Sequence, residues 1–276
     1  LIDDYNGDTK PMACHTPIVI KTGVGNIYVA CRQCLSCRIR RQSALSLRAL
    51  FEARTSLSAD FWTLTYATAP EALDYSDFSK FLKRLRKWNV EKGNLVPIRY
   101  LGVGEYGSKS GRPHFHALIF NSLSPLGEAL HTRLWPHGFV YIGTVTPASV
   151  RYTARYCLKF EAKGREGVAH WSSKPTLGEP GMRELAAYMR MRGDNLSEAP
   201  ILLRIEGHNY QLDNTMREVF EDEFNNGGEF KKRSLLTCHD EYVLRLRYGD
   251  PIAAQRRKDE VRQQFFESAR FVHEKL

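Results

Sequence analysis

Long apolar runs are missing from this 276-residue sequence. No stretch approaches the roughly 20 residues that a membrane-spanning helix needs, so no membrane partner is expected. The first 30 residues lack a basic start followed by an apolar run, and no signal peptide is read there. The phosphate loop G-x4-G-K-S/T is absent too, which gives no ground for an ATPase or helicase. Cysteine is scarce: six residues, at positions 14, 31, 34, 37, 157 and 238. That is too few, and too clustered, for a secreted disulfide scaffold, and a reducing compartment fits better.

What is present is charge and a usable core. Forty basic against thirty-one acidic side chains give a net charge of +9, an excess that suits a polyanionic partner, with nucleic acid first. With 42% hydrophobic and 11% aromatic residues the chain can bury a sizeable interior. Its length allows one large domain, or a catalytic domain with an appendage. The division read here is a Cys-rich, basic N-terminal segment with a first helix over 1–58, a central α+β core over 59–200, and a mostly helical extension over 201–276.

The organising stretch is GVGEYGSKSGRPHFHALIF, residues 102–120. Strand alternation puts His114 and His116 on one face and Phe115 on the other. Ala117 to Phe120 is apolar enough for a buried central strand. Ile98 to Val103 reads as a neighbouring strand ending in Gly104 and Glu105, and the turn-rich SKSGRP lets the two pair as a hairpin. The hairpin brings the Glu105 carboxylate to the histidines. Such a set can hold one divalent cation with open positions for a phosphate oxygen.

Residues 1–30 are loop-rich, with short apolar runs at Ile18 to Ile20 and Ile27 to Ala30. They lead into CRQCLSCRIRRQ, where Cys31, Cys34 and Cys37 are spaced to converge on a soft cation such as Zn²⁺. Cys14 and His15 are the two candidates for a fourth ligand. Helical spacing then runs from about Leu35 to Leu57. Arg38, Arg40 and Arg41 are crowded there with no acidic residue beside them in the sequence, a pattern suited to phosphate contacts. Phe61 to Tyr66, FWTLTY, alternates as a strand. Ser76 is read as the cap of a helix over Asp77 to Glu91, with Phe78, Phe81, Leu82, Leu85 and Trp88 as its apolar stripe.

A short helix follows around Gly127 to Trp135, then a strand near Phe139 to Val145. Thr146 and Pro147 make a strong helix start. On that helix Tyr152, Tyr156 and Lys159 are spaced i, i+4, i+7 and share a face, with the two hydroxyls about one turn apart. A tyrosine there is placed to attack a phosphate, provided a cation favours its phenolate. The first tyrosine would keep the phosphodiester energy in a phosphotyrosine ester, and the second could cut again while the first holds the DNA end. Beyond position 160 the turn-rich sequence suggests a helix around Met182 to Arg192, a strand pair around Gly207, a helix from Thr215 to Phe224 and another over about Pro251 to His273.

His114-Phe115-His116 resembles the motif of HUH endonucleases (two histidines around a hydrophobic residue), and Tyr152-x3-Tyr156-x2-Lys159 resembles their two-tyrosine motif. FWTLTY is similar to the first motif of rolling-circle replication initiators. Histidines ahead of tyrosines is the order of replication initiators, whereas conjugative relaxases place the tyrosine first. The combination with the Cys- and Arg-rich segment most resembles the initiators of small single-stranded DNA phages, the gokushovirus branch of the microviruses, over roughly residues 31–180.

The resemblance implies an antiparallel sheet flanked by helices and Mg²⁺ or Mn²⁺ held by His114, His116 and Glu105. It further implies catalysis by Tyr156, Tyr152 and Lys159, with Tyr156 ranked first. DNA contacts are expected from Arg38, Arg40, Arg41, Arg112, Arg151 and Arg155. The implied activity is nicking and rejoining of single-stranded DNA at a replication origin, in the cytoplasm of a bacterial host and beside host helicase and polymerase. Two rival readings stand beside it: a transposase of the HUH type, and a non-catalytic, zinc-stabilised single-strand-binding module.

Overall fold

A computed structural model describes residues 2–3, 14–23, 25–107, 111–124, 128–156, 168–194, 196 and 199–225. Its centre is a five-stranded, fully antiparallel sheet. The strands are β4 (Ala59–Tyr66), β5 (Arg99–Tyr106), β6 (Pro113–Phe120), β7 (Gly138–Thr144) and β8 (Val168–Trp171), in the order β7-β4-β6-β5-β8. The apolar run on β6 is thereby central, as its composition demands. Strand β8 lies in the turn-rich stretch where no strand was expected. It is four residues long and pairs at the edge with β5, too short for alternation to reveal it.

Helices cover both faces. On one side α2 (Tyr75–Glu91) and α3 (Glu128–Leu134) pack with Trp62, Leu64 and Tyr66 of β4 and Phe115, Ala117 and Ile119 of β6. All five members of the expected α2 stripe are buried. The cap is Asp74 rather than Ser76: its carboxylate accepts from the Ser76 N–H at 2.7 Å, so the helix begins two residues earlier than expected. Behind the histidines this layer comes very close. Phe78 stacks on Phe115 with centroids 5.2 Å apart, and a Cβ at Gly102 would stand 2.5 Å from the Phe78 ring. The glycines of GVGEYG therefore admit the aromatic layer that backs the site.

On the other side α1 (Leu35–Thr55) and α4 (Pro147–Arg155) contribute Ala49 and Val150 to a cluster with Leu101, Leu118 and Phe120. The start of α4 follows the sequence reading: Thr146 and Ser149 cap reciprocally, with proline in the first turn. A third cluster joins α1, through Leu47 and Phe51, to α5 (Glu179–Met191), the hairpin β9 (Leu202–Ile205) and β10 (His208–Gln211), and α6 (Asn214–Phe224). Asp213 caps α6 and also pairs with the buried Arg48 of α1 at 2.7 Å, while Glu52 of α1 pairs with Arg99 of β5 and accepts from the Gly178 N–H. The described part of the C-terminal extension is thus seated on the first helix. Near the N-terminus β1 (Ile2–Asp3) adds to β9, and β2 (Ile18–Thr22) pairs with β3 (Gly25–Val29) in a separate ribbon. The helix expected over Pro251 to His273 lies outside the described residues.

Candidate active site and metal centre

Register places the first set of functional groups. His114 stands opposite Glu105 on β5 and Thr65 on β4, and His116 opposite Val103 and Thr63. Phe115 turns into the aromatic core, as alternation requires. His114 Nε2 lies 2.7 Å from Glu105 Oε1 and 3.2 Å from His116 Nε2, and His116 Nε2 lies 3.4 Å from the same carboxylate oxygen.

The other ring nitrogens are engaged elsewhere. His114 Nδ1 is 3.2 Å from the Arg112 carbonyl, which only accepts, so Nδ1 carries the proton and Nε2 offers a lone pair in the neutral ring. His116 Nδ1 lies 3.0 Å from the Thr63 hydroxyl. Two imidazole nitrogens and a carboxylate oxygen thus converge at separations of about 3 Å, those of adjacent corners around an ion with bonds near 2.1 Å. The residues fit a hard or borderline divalent cation, with backbone and hydroxyl partners fixing the rings from behind.

The tyrosines meet this set. The Tyr156 ring stacks on His116 at 5.1 Å and 14°, the Tyr152 ring stands edge-on to His116 at 5.3 Å, and the two phenols are 4.9 Å apart. Phe61 stacks on the far side of His116 at 5.5 Å and touches Tyr152 edge-on. Tyr156 is 9% exposed and Tyr152 46%. Burial pushes the Tyr156 phenol well above its ordinary range, and the neighbouring Tyr152 hydroxyl and Glu105 carboxylate push the same way. Without positive charge nearby this phenol stays protonated, so its use as a nucleophile requires a cation at the adjoining ligands.

Lys159 lies outside the described residues. Arg112 immediately precedes β6, and Arg151 and Arg155 share α4 with Tyr152; Arg151 donates to the Tyr210 hydroxyl at 3.3 Å. Arg38, Arg40 and Arg41 belong to the first two turns of α1, where Arg41 lies over the Trp171 ring at 5.6 Å. They adjoin the cysteine cluster instead of the histidines. Thr63 and Phe61 were not singled out as site residues. Their signal was the alternation of FWTLTY, which put Phe61, Thr63 and Thr65 on one face of the strand that pairs with β6.

The second cluster gathers Cys14, Cys31, Cys34 and Cys37, whose sulfurs lie within 4.8 Å of one another. Separations of 4.0 Å for Cys31–Cys37 and 3.8 Å for Cys14–Cys34 match a tetrahedron with Zn–S bonds near 2.3 Å. Of the two candidates for the fourth position, Cys14 is the one that joins. Arg32 adopts a positive φ of 62°, and the turn aims the Gln33 and Cys34 N–H groups at the Cys31 sulfur (3.4 and 3.2 Å). The Cys31 N–H points at Cys14 Sγ at 3.4 Å. All four are free thiols. Cys157 and Cys238 lie outside the described residues.

An antiparallel sheet with helices on both faces, carrying His-x-His on a central strand beneath a tyrosine pair, is a fold of the HUH type. Residues 59–161, which span this sheet and the first tyrosine helix, match the family model for the phage replication-associated protein ORF2. The chain is 37% identical over 201 residues to Replication-associated protein VP4 of Bdellovibrio phage phiMH2K, covering 62% of this chain and 64% of that one. It is 32% identical over 163 residues to Replication-associated protein ORF2 of Spiroplasma virus 4 (50% of each), and 33% over 150 residues to Replication-associated protein ORF4 of Chlamydia phage 1 (47% and 37%). The chain belongs with these phage proteins, as a microvirus-type replication protein. The matches span less than two thirds of each relative's length. No solved structure matches the chain. Among the described residues no helix is long and apolar enough to cross a membrane.

Proposed function

We propose that this chain nicks and rejoins single-stranded DNA at a replication origin by tyrosine transesterification. The observation that carries the reading is the stacking of Tyr156 on His116, which sets a nucleophile against the Glu105/His114/His116 ligand set. Mg²⁺ or Mn²⁺ bound there would polarise a phosphate oxygen and favour the phenolate. The Tyr156 oxygen attacks the phosphorus, forming a Tyr–O–P bond and releasing the 3′ oxygen, which takes up a proton. The product is a 5′-phosphotyrosine ester and a free 3′ hydroxyl. The reverse attack by a 3′ hydroxyl reseals the strand without ATP, since one ester replaces another. Tyr152, more exposed and one turn away, performs the second cut. Lys159 steadies the developing charge, as the family resemblance suggests.

A structural Zn²⁺ in the four-cysteine cluster would fix the start of α1, and the arginines there and on α4 would follow the phosphate backbone. Host helicase and polymerase would supply unwinding and synthesis. An HUH transposase uses the same chemistry, but the relatives' replication-associated names favour initiation.

The test is a covalent adduct with a labelled single-stranded origin oligonucleotide and Mn²⁺, surviving denaturation. Replacing both tyrosines with Phe removes it; each single replacement leaves one competent hydroxyl, with Tyr156→Phe the more damaging. Tight binding by wild type with no adduct would leave the non-catalytic binding module standing.

A further inference from the structure

Edge strand β7 carries two large rings open to solvent. Phe139 is 68% exposed and Tyr141 63%. Their neighbours Val140 and Ile142 point the other way and pack on the core that holds Trp62 and Leu64. Exposed aromatics side by side on a sheet face are unusual enough to need a reason.

Register decides where these rings stand. Phe139 lies opposite Thr65, Thr65 opposite His114, and His114 opposite Glu105. Tyr141 lies opposite Thr63, and Thr63 opposite His116. Directly paired residues share a face, so both rings occupy the face that presents the histidines, two strands away or about 10 Å. The cluster formed with α1 and α4 on this face involves Leu101, Leu118 and Phe120, further along the sheet, and includes neither ring. The next outward position on β7 is Gly143, and Tyr141 ring atoms lie 3.2 Å from where its Cβ would be. The ring therefore leans along the strand into space that a side chain would fill.

We propose that Phe139 and Tyr141 form a stacking platform for unpaired bases flanking the phosphate held at His114 and His116. This rests on the single-stranded DNA reading and adds to it the feature that distinguishes bases from backbone. Every base has a π face, so such a platform tolerates any sequence, and a duplex keeps those faces hidden in its own stack. The arginines beside the site can attract phosphates of either kind of DNA, but they cannot select for unpaired bases.

The decisive measurement compares two fluorescent probes of equal length, an oligodeoxythymidylate and an abasic deoxyribose-phosphate strand, by anisotropy at fixed salt. Wild type binds the first at least about tenfold more tightly, and Phe139→Ala/Tyr141→Ala loses that preference while keeping its affinity for the abasic strand. Tyr141→Phe and Phe139→Tyr retain the preference, because only the ring is needed. Circular dichroism and light scattering check that the double variant keeps its fold and its oligomeric state. Equal binding of both probes by wild type would sink the platform and leave the nicking reading intact. So would a preference that survives in the double variant, or a change of oligomeric state with unaltered binding. Binding of neither probe would remove both.

Discussion

Two clusters of ligating side chains in this molecule invite comparison, because each is assembled by a different kind of backbone. Glu105, His114 and His116 sit on paired strands in the middle of a sheet, with their spacing set by the ladder and their rings braced by the Arg112 carbonyl and the Thr63 hydroxyl. Cys14, Cys31, Cys34 and Cys37 are brought together by a turn and a helix start, with few extended contacts around them. The first offers three ligands beside two phenols, so a bound ion keeps positions for a phosphate. The second offers four sulfurs and closes around its ion. Three ligands plus an opening suit chemistry, and four without one suit architecture. The scaffold should outlast the loss of an ion from the first cluster but not from the second.

The sharpest way to break that contrast is to remove one ligand from each. His116→Ala should lower the rate of adduct formation about a thousandfold or more, since it removes both a ligand and the surface on which Tyr156 stacks. Its thermal midpoint should move little. Cys34→Ser should do the reverse: bound zinc, measured by metal analysis, falls from about one equivalent to none, and stability drops by about 2–3 kcal/mol. Its adduct rate in the cold should stay within a few-fold of wild type. Equal loss of activity in both variants would show that the two clusters act as one unit.

How far the sequence disclosed this contrast depends on the range of the interactions. The histidine pair, Glu105 and the tyrosine helix were legible because local periodicity governs them: period two on the strands, a capped 3.6-residue repeat on α4. Even the meeting of rings over His116 follows once β6 and α4 are placed. The fourth cysteine was open between Cys14 and His15 because the loop that decides it has no periodicity. Thr63 was visible as a strand residue but not as a histidine partner, since that contact joins residues 53 apart through sheet register. Strand β8 and the seating of Asp213 on Arg48 were hidden for the same reason; both depend on distant chain segments packing together. Among the six arginines expected to meet DNA, sequence crowding did not tell those near the histidines from those beside the cysteines.

A milder change probes how firmly the sheet holds its ion. Thr63→Ala leaves all three ligands in place but removes the hydroxyl at His116 Nδ1. The expected outcome is a 10- to 100-fold weaker affinity for Mn²⁺, read as a rise of about that size in the half-saturating concentration for adduct formation, with near-normal rates at saturation. Thr63→Ser restores the hydroxyl and should restore the affinity. An unchanged metal titration would mean that β6 alone orients the ring.

The smallest effect concerns the cysteines when no zinc is bound. Burial pushes the Cys31 thiol up, but the Thr16 hydroxyl at 3.2 Å and the N–H groups of Cys34 and Gln33 outweigh it and bring the thiol down to about 6. Burial and the neighbouring Cys34 side chain push Cys37 well above the ordinary thiol range. At neutral pH Cys31 is therefore mostly thiolate and Cys37 mostly thiol, and the thiolate is the form that alkylates. In reduced, zinc-free protein, iodoacetamide should modify Cys31 about tenfold or more faster than Cys37, as read by peptide mass spectrometry. The lead should shrink as pH falls below about 6, because Cys31 then takes up its proton. Added zinc should protect all four sulfurs together. Protection of only three would mean that Cys14 belongs to the loop rather than to the metal, and that the cluster keeps an open corner like the one over the histidines.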